Sequence, residues 1–532
     1  MEDKELVVTA RRRVAAVAAA VVALVAVGVV VAVRPGGRLP TLAGPAAAGP
    51  AGAPAARAGS AITWVAAENQ RPGTTAWRIT HLGTPDAIEG YADRASATWG
   101  ERVHVYVSTT APSFHVEAYR MGYYHGLGAR LVWRSAAIPG RRQPPPVRTP
   151  GTNLLATHWP PALALPLTPT WPQGDYLLKL TAATGQRYVP LTIRDDTSHA
   201  ALLIQNAVTT WQAYNAWGGA SLYHGPHGNP ATRSRVVSFD RPYDPPGLGA
   251  GDFLGNELPL VRLVEQHGLD VTYATDLDLH RHPERLLAHR ALVSLGHDEY
   301  WSTRMRRGAE TARAHGVNLA FLGANAVFRH IRLQPSPLGP DREEVNYKPW
   351  SAGDDPAWRS DPGEVTTDWR QPPLNDPESR LLGAQYQCNP VHASGVVVDP
   401  AAWPLAGTGV HAGMRLAGLV GGEYDGVRPG APRPAGVQVL LHAPVRCRGP
   451  SAADTTYYTV PGGGAGVFDA GTGSWVCQLA GACAQGRNDP VTARVVGAVT
   501  LNLLRGFAQG PAGRHHPSRP NLTRLHVVPN GL

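Results

Sequence analysis

Lysine is scarce in this chain of 532 residues, which has three lysines among its 49 basic residues. The formal net charge of +9 therefore comes almost wholly from scattered arginines, and no dense basic run with interleaved aromatic residues occurs after residue 35. A protein that binds nucleic acid usually has such a run on one face. The composition argues against a nucleic-acid partner and is typical of a protein encoded in a GC-rich genome.

The short signatures of several common enzyme classes are absent. The chain contains no G-x-S-x-G elbow, no H-E-x-x-H pair, no P-loop and no complete G-x-G-x-x-G after a strand. These absences disfavour a serine hydrolase, a zincin, an NTPase and a Rossmann dehydrogenase. No cysteine precedes position 388, which disfavours a glutamine amidotransferase because that reaction needs a cysteine nucleophile after a strand.

Cysteine is rare, and its four occurrences are Cys388, Cys447, Cys477 and Cys483. An even number in an oxidising compartment favours two disulfides, for which three pairings exist, and Cys477 with Cys483 is the first choice. A structural zinc is the alternative, although no C-x-x-C pair gives the usual ligand spacing.

One long apolar run lies near the N-terminus. Residues 14–33 carry no charge and follow an arginine cluster at residues 11–13. A helix of twenty such residues is long enough to cross the hydrocarbon core of a bilayer. Basic residues that flank such a helix stay on the cytoplasmic side. We expect a cytoplasmic segment at 1–13, a transmembrane helix that acts as a signal anchor in the plasma membrane, and an extracytoplasmic body. Cleavage near residues 46–48 is the alternative.

The rest of the chain is predicted to be an α+β multidomain protein. Residues 34–60, rich in Pro, Gly and Ala, predict a linker. Alternating runs up to residue 195 predict a β-sandwich domain of immunoglobulin or laminin-G type over 61–195. Apolar strands then alternate with helical stretches, which predicts an α/β domain with a mostly parallel sheet over 196–532. A segment rich in Pro and Trp, at about 335–445, is predicted to be an irregular insertion.

The most distinctive motif is Gly-His-Asp-Glu-Tyr-Trp at residues 296–301, directly after the apolar strand 291–295. Ligands of open parallel sheets bind just past the carboxyl ends of the strands, so this motif is well placed for a site. The alternative is that Ser302 or Thr303 caps the next helix and the two acidic residues favour its positive end.

Two other segments are candidates for the same edge of the sheet. Tyr273 leads into residues 274–280, and if its strand neighbours that of Tyr300, both tyrosines face one crevice; a packed core tyrosine is the alternative. Residues 209–219, rich in aromatics and glycine, suit either a binding wall or a tight loop.

Four segments together carry a family resemblance: residues 117–130, 210–219, 275–280 and 296–300. They resemble the large (beta) subunit of bacterial N,N-dimethylformamidase and its actinobacterial relatives, and the likeness spans most of residues 100–510. The resemblance implies a β-sandwich followed by a glutamine-amidotransferase-like α/β domain. It also implies a mononuclear iron held by two tyrosines and one glutamate, which activates water for amide hydrolysis.

The resemblance also assigns candidate residues. Tyr300 closes the best-matching motif, Tyr273 precedes another, and Glu364 lies in a Gly-Glu segment five residues before a tryptophan, so these three are the expected ligands of ferric iron (Fe3+). Glu423 is the rival third ligand. Phenolate and carboxylate oxygens are hard donors that suit this ion.

The expected catalytic roles are assigned from the positions of the residues in the sequence. His297 is expected to act as a general base or to orient water, and Glu299 as a second acid or base. Asn325, after the strand 318–322, is expected to hold the substrate carbonyl.

The sequence thus leads to a membrane-anchored hydrolase of amide or related C–N bonds at the cell surface. Its expected partners are a small amide-like substrate, and either a second copy of the chain or a separate small subunit. A cytoplasmic enzyme of this family needs neither a membrane anchor nor disulfides, so this chain differs from such an enzyme in both respects. The alternative is therefore a non-catalytic surface protein that binds glycan or envelope material and retains the fold.

Overall fold

The structure is a computed structural model that describes residues 63–481, 483 and 489–523. The chain from Trp64 onward forms one compact unit. The predicted cytoplasmic segment, transmembrane helix and linker lie outside the described residues. Within the described ranges, no helix combines the length and the apolar character needed to cross a membrane. The fold class is α+β, with many strands and few helices.

The N-terminal part consists mainly of antiparallel strands in two sheets; β2 is the strand that pairs in parallel, with β11. Its strands are β1 (Ile88–Ala92), β2 (Ser96–Ala97), β3 (Arg102–Thr109), β4 (Ser113–Met121), β5 (Ala129–Arg134), β6 (Ile138–Pro139), β7 (Val147–Thr149), β8 (Leu154–Ala156), β9 (Leu163–Pro166), β10 (Gly174–Ala182) and β11 (Gly185–Ile193). One sheet has the order β1-β3-β9 and the other β2-β11-β10-β4-β5, with β6 beside β4 and a separate β7-β8 pair.

Strand alternation explains how this part joins the rest of the molecule. In β10, Leu178 and Leu180 point into the core between the two sheets, whereas Leu177 packs into the core of the α/β part. Successive side chains of a strand point to opposite faces. The sheet of β10 and β11 is therefore buried on both faces, which holds the two parts together.

The α/β part is built on a nine-stranded sheet of order β14-β12-β15-β17-β24-β23-β22-β20-β21. Its strands are β12 (Leu202–Asn206), β14 (Val271–Thr275), β15 (Ala291–Gly296), β17 (Asn318–Gly323), β20 (Gln385–Val397), β21 (Arg415–Gly426), β22 (Gln438–Arg446), β23 (Pro450–Thr459) and β24 (Gly466–Asp469). The first five in the sheet order pair in parallel and the others antiparallel. A smaller sheet, of order β13-β19-β18-β16, contains β13 (Val236–Ser238), β16 (Tyr300–Ser302), β18 (Arg329–Ser336) and β19 (Gly339–Val345).

Helices pack around the large sheet. They are α1 (Trp64–Glu68), α2 (Val208–Tyr214), α3 (Phe253–Asn256), α4 (Leu258–Gln266), α5 (Asp276–Arg281), α6 (Thr303–Ala314), α7 (Ala357–Ser360), α8 (Ser379–Leu382), α9 (Trp475–Gln478) and α10 (Pro490–Phe507). The Ser302 hydroxyl caps α6 by accepting a hydrogen bond from the amide of Met305. Val495, Val499 and Leu503 bury one face of α10 in the core, as expected for apolar residues four apart.

The segment predicted to be an irregular insertion is largely regular. Residues 335–445 contain β20, β21 and most of β22, which extend the large sheet to its antiparallel edge, and β19, which belongs to the smaller sheet. The pairing of β20 with β21 has three irregularities in register. Proline and glycine residues in these strands interrupt the alternation that would have revealed them.

All four cysteines form disulfides, in the pairs Cys388–Cys447 and Cys477–Cys483. The expected pair Cys477–Cys483 is confirmed. The other bridge links the start of β20 to the residue that follows β22, at the antiparallel edge of the sheet.

Candidate functional site

The candidate site lies where β15 ends and the chain turns into β16. Gly296 at the end of β15 has a φ of +53°, and a Cβ there would lie 2.4 Å from the carbonyl oxygen of Asn256. A Cβ on Gly323, at the end of neighbouring β17, would lie 1.6 Å from the Gly296 carbonyl oxygen. Only glycine fits these close approaches. Because of this tight packing, the next residues, His297 to Tyr300, lie at the carboxyl edge of the sheet.

Glu299 is the centre of the site and is 1% exposed. Its carboxylate accepts hydrogen bonds from the hydroxyls of Tyr214 at 2.7 Å and Tyr223 at 3.0 Å, and from Nε of Arg329 at 3.1 Å. Burial opposes ionisation, but the contact with His297 and the charge of Arg329 lower its pKa to about 2. Glu299 is therefore a buried carboxylate at neutral pH.

Three tyrosine hydroxyls surround this carboxylate. Tyr300 donates to the hydroxyl of Tyr223 at 2.7 Å, and the hydroxyls of Tyr223 and Tyr214 also lie 2.7 Å apart. Burial, together with the charge of Glu299, raises the pKa of all three phenols well above its usual value. Unless a cation is present, the three tyrosines remain protonated.

A buried lysine completes the inner side of the site. Lys348 Nζ lies 2.8 Å from the Tyr300 hydroxyl and 3.7 Å from the ring centre of Tyr223. Burial, with the nearby charge of Arg329, lowers the pKa of Lys348 well below its usual value. The lysine is thus an amine with little tendency to be charged, beside a phenol.

The outer side of the site is a histidine between two carboxylates. His297 Nε2 lies 2.9 Å from Glu423 Oε2 and 3.4 Å from Glu299 Oε2. Burial opposes its protonation, but Glu423 and Glu299 together raise the pKa of His297 well above its usual value. His297 is therefore an imidazolium at neutral pH.

Two asparagines hold Glu423 in place. The amide nitrogens of Asn325 and Asn389 donate to the two oxygens of Glu423, each at 2.9 Å. The backbone amide of Asn325, which has a φ of +59°, donates to Asp425. The side-chain oxygen of Asn325 is buried and has no partner among the described residues.

The family with the description "N,N-dimethylformamidase beta subunit-like, C-terminal" matches residues 115–489, which is more than half of the chain. The chain belongs to this family. The matched range includes every residue placed in the site above. No curated protein matches the sequence.

The dimethylformamidase-like motif at 296–300 brings three of the expected residues together: His297, Glu299 and Tyr300. Their surroundings alter two of the expected roles. An imidazolium cannot accept a proton, so His297 is unsuited to act as a general base in this state. Glu299 has its oxygens occupied by two tyrosines and an arginine, and its low pKa makes it a poor proton donor.

Tyr273 lies elsewhere. Its hydroxyl donates to Glu265 at 2.7 Å, and Glu265 forms a fully buried ion pair with Arg120 at 2.5 Å. This cluster joins β14, α4 and β4 behind the sheet. Tyr273 is thus a buried tyrosine at the contact between the two parts of the molecule, as the alternative interpretation held.

Glu364 is likewise outside the site. It accepts a hydrogen bond from the Thr303 hydroxyl at 2.6 Å and lies 3.9 Å from His330 Nε2. Glu423, the rival glutamate, is the one that the fold places against His297. Asn325 lies in the site, but its amide nitrogen is already bonded to Glu423, so its free group is the oxygen, which accepts rather than donates.

Sequence reasoning missed three residues of the candidate site: Tyr223, Arg329 and Lys348. Tyr214 was included within the segment 209–219, as either a binding wall or a tight loop. Lys348 is one of three lysines in the chain, which is a detectable signal. Tyr223 and Arg329 had none, because they follow irregular loops whose course no local pattern predicts.

The oxygen atoms of the site suit a hard metal ion. The phenol and carboxylate oxygens of Tyr214, Tyr223, Tyr300 and Glu299 are linked at 2.7–3.2 Å, and oxygens that share one ion at about 2 Å lie roughly 3 Å apart. Within the described ranges, no group of three or more His, Cys, Asp or Glu side chains is arranged to hold a metal. A metal here would therefore depend on tyrosine oxygens.

Proposed function

We propose that the chain hydrolyses amide or related C–N bonds at the cluster of Glu299, His297, Glu423 and the three tyrosines. The observation that supports this most directly is a buried, ionised Glu299 held between tyrosine hydroxyls on one side and a His297–Glu423 pair on the other. Perturbed groups that converge in this way favour a reaction centre over a purely structural network.

Ferric iron, if bound, would be held by Glu299, Tyr300 and either Tyr223 or Tyr214. Such an ion supplies a Lewis acid that polarises a carbonyl and acidifies water. Ligation requires that the phenols lose their protons. Lys348 Nζ, 2.8 Å from the Tyr300 oxygen, is positioned to accept one of them.

His297 and Glu423 transfer the protons during hydrolysis. Glu423 is a partly buried carboxylate, 16% exposed at its side chain, and is suited to take a proton from the attacking water. His297 holds a proton on Nε2 and is suited to deliver it to the leaving nitrogen. The free oxygen of Asn325 is suited to accept a hydrogen bond from an amide N–H or from that water.

Metal content and colour test the proposal. Purified protein that begins near Ala61 should contain about one iron per chain and show a visible phenolate-to-iron absorption band, and it should hydrolyse simple amides. Protein that remains folded, colourless and inactive after incubation with ferric and ferrous salts would contradict it and would favour a non-catalytic binding protein.

We also propose that the body works outside the cytoplasm, anchored by residues 14–33. Two disulfides support an oxidising compartment, where such bonds persist. Proteolysis of intact cells tests this: an externally added protease should remove the body, whereas protection until lysis would contradict an external location.

A further inference from the structure

Tyr386 lies at the outer side of the candidate site but is not part of the cluster described above. It is on β20 and pairs with Asp425 on β21, and the side chains of directly opposed residues lie on one face of a sheet. Asp425 accepts a hydrogen bond from the backbone amide of Asn325 at 2.9 Å, and the side chain of Asn325 holds Glu423. The pairing of β20 with β21 therefore brings Tyr386 close to the pair of Glu423 and His297.

The polar contacts of Tyr386 are those of its backbone. Its amide donates to Glu378 Oε1 at 3.2 Å, and its carbonyl oxygen accepts from Arg370 Nη2 at 2.9 Å. Its hydroxyl has no hydrogen-bond partner in the part of the chain that the structure describes, and the residue is partly exposed. A tyrosine hydroxyl away from bulk water usually has a partner, so this one is available to a ligand that enters the site.

The other donors of the site are engaged within it. The three tyrosine hydroxyls of the cluster bond to one another and to Glu299, and the buried lysine bonds to one of them. The amide nitrogens of Asn325 and Asn389 donate to Glu423. The hydroxyl of Tyr386 differs from all of these donors, because it makes no bond to another described residue.

The phenol of Tyr386 is protonated at neutral pH. Burial, with the negative charges of Glu423 and Glu299, raises the pKa of Tyr386 above its usual value. Two carboxylates that act on this phenol must lie near it, yet neither of them bonds to its hydroxyl. The phenol and the carboxylates are thus neighbours without direct contact, an arrangement that suits a substrate bound between them.

The ring of Tyr386 is held by packing. It lies against Phe328 with the ring centres 5.1 Å apart. The guanidinium groups of Arg329 and Arg370 lie over the Phe328 ring at 4.5 Å and 4.8 Å. The backbone amide of Phe328 donates to the carbonyl oxygen of Glu299 at 3.0 Å. The phenol is therefore fixed relative to Glu299, as a preorganised donor in a reaction centre must be.

We propose that Tyr386 is a further catalytic residue, whose phenol O–H donates a hydrogen bond to the carbonyl oxygen of the amide substrate. This inference rests on the proposed function and deepens it. Attack of water on the carbonyl carbon moves negative charge to that oxygen, so the hydrogen bond strengthens as the reaction proceeds. The proton stays on Tyr386. The two nearby carboxylates select an uncharged acyl group, because they repel an anion.

Kinetics of one variant test the role in catalysis. Tyr386→Phe removes the hydroxyl and keeps the ring, so the fold and any bound iron should be retained. We expect kcat for acetamide hydrolysis to fall by about 100-fold and KM to change by less, because the lost bond is strongest in the transition state. Tyr123→Phe is the matched control, since Tyr123 is also partly exposed and lies in the N-terminal part. A kcat for Tyr386→Phe equal to that of the control would overturn the inference and leave the proposed function standing.

Binding of acetamide distinguishes the two proposals, because it needs no turnover. In crystals of the unaltered protein soaked in acetamide, the acetamide oxygen should lie within hydrogen-bond distance of the Tyr386 hydroxyl. In solution, the acetamide concentration that half-saturates the rise in unfolding midpoint should be about 2- to 10-fold higher for Tyr386→Phe. Acetamide bound in this way but not hydrolysed would support the hydrogen bond at Tyr386 and contradict the proposed hydrolysis. Acetamide absent from Tyr386 in the crystal, or equal half-saturation in both proteins, would overturn the inference.

Discussion

The amine of Lys348 lies 2.8 Å from the hydroxyl of Tyr300, and both side chains are fully buried. An uncharged amine beside a phenol can receive the phenol proton when a cation approaches the oxygen. The resulting ammonium would lie beside the phenolate and feel the charge of Glu299, so the transfer creates favourable charge pairs in a region of low dielectric.

Replacement of this lysine tests the transfer. We expect Lys348→Met to lower the rate of amide hydrolysis by about 100-fold and to weaken iron binding, because the Tyr300 proton then has no acceptor. Iron content and kcat measure the two effects. Lys179→Met is the matched control, since Lys179 is also buried but donates to the carbonyls of Ala76 and Arg78. Equal losses in both variants would contradict a role specific to Lys348.

A pair of tyrosine variants distinguishes a tyrosine of the candidate site from a tyrosine of the core. Tyr300→Phe should abolish the visible band and most of the bound iron while the fold is retained. Tyr273→Phe should keep both but lower the free energy of unfolding by about 1–3 kcal/mol, since Glu265, the buried partner of Arg120, then loses a hydrogen-bond donor. Absorption spectra and denaturant titrations measure the two variants. Loss of the band in Tyr273→Phe instead would restore that tyrosine as a ligand.

The position of the motif at 296–300 in the fold followed from the sequence because the motif comes directly after a buried strand. Residues at that point must lie at the carboxyl edge of a parallel sheet. Tyr273 does not lie at this edge, because it is two residues before the end of β14. It is inside the sheet, where its side chain meets α4. A shift of two residues along a strand separates an edge position from a core position.

The choice between Glu364 and Glu423 could not be made locally. Both glutamates follow glycine, but Glu423 lies on β21, and the strands that bring it to His297 were concealed by proline, glycine and irregular register. Contacts between distant strands depend on how the whole sheet pairs, and short motifs do not contain that information.

The His297–Glu423 pair predicts a dependence of stability on pH. Because the folded pKa of His297 is raised above its unfolded value, the stabilisation is fully present below the unfolded pKa of about 6.5 and is lost as the pH rises through the folded pKa. Glu423→Gln should therefore lower the free energy of unfolding by about 1–3 kcal/mol at pH 6 and by less at alkaline pH.

Denaturant titrations at several pH values measure this difference. Glu364→Gln is the control, because Glu364 bonds to Thr303 rather than His297, and its effect should not follow the titration of His297. A Glu423→Gln effect that does not change with pH would show that the pair is not ionised as described. The same variant should reduce kcat by about 100-fold.

The two disulfides are expected to differ in both stability and activity. Cys388–Cys447 closes a loop of 59 residues and Cys477–Cys483 a loop of 6. Because a longer loop loses more entropy when it is closed in the unfolded chain, replacing the first pair by alanine should cost about 4 kcal/mol and the second about 2 kcal/mol. Denaturant unfolding of each double variant measures these costs.

We expect loss of the two disulfides to differ more in its effect on activity than in its effect on stability. Asn389 follows Cys388 directly, and its amide holds Glu423 at 2.9 Å, so loss of the Cys388–Cys447 bridge loosens the residue that positions the proposed base. The sulfurs of Cys477 and Cys483 lie instead against the Ser474 carbonyl oxygen, beside α9. We therefore expect a lower kcat only in the Cys388/Cys447 double variant, measured where both variants are fully folded. An equal kcat in the two would mean that β20 keeps Asn389 in place without the bridge.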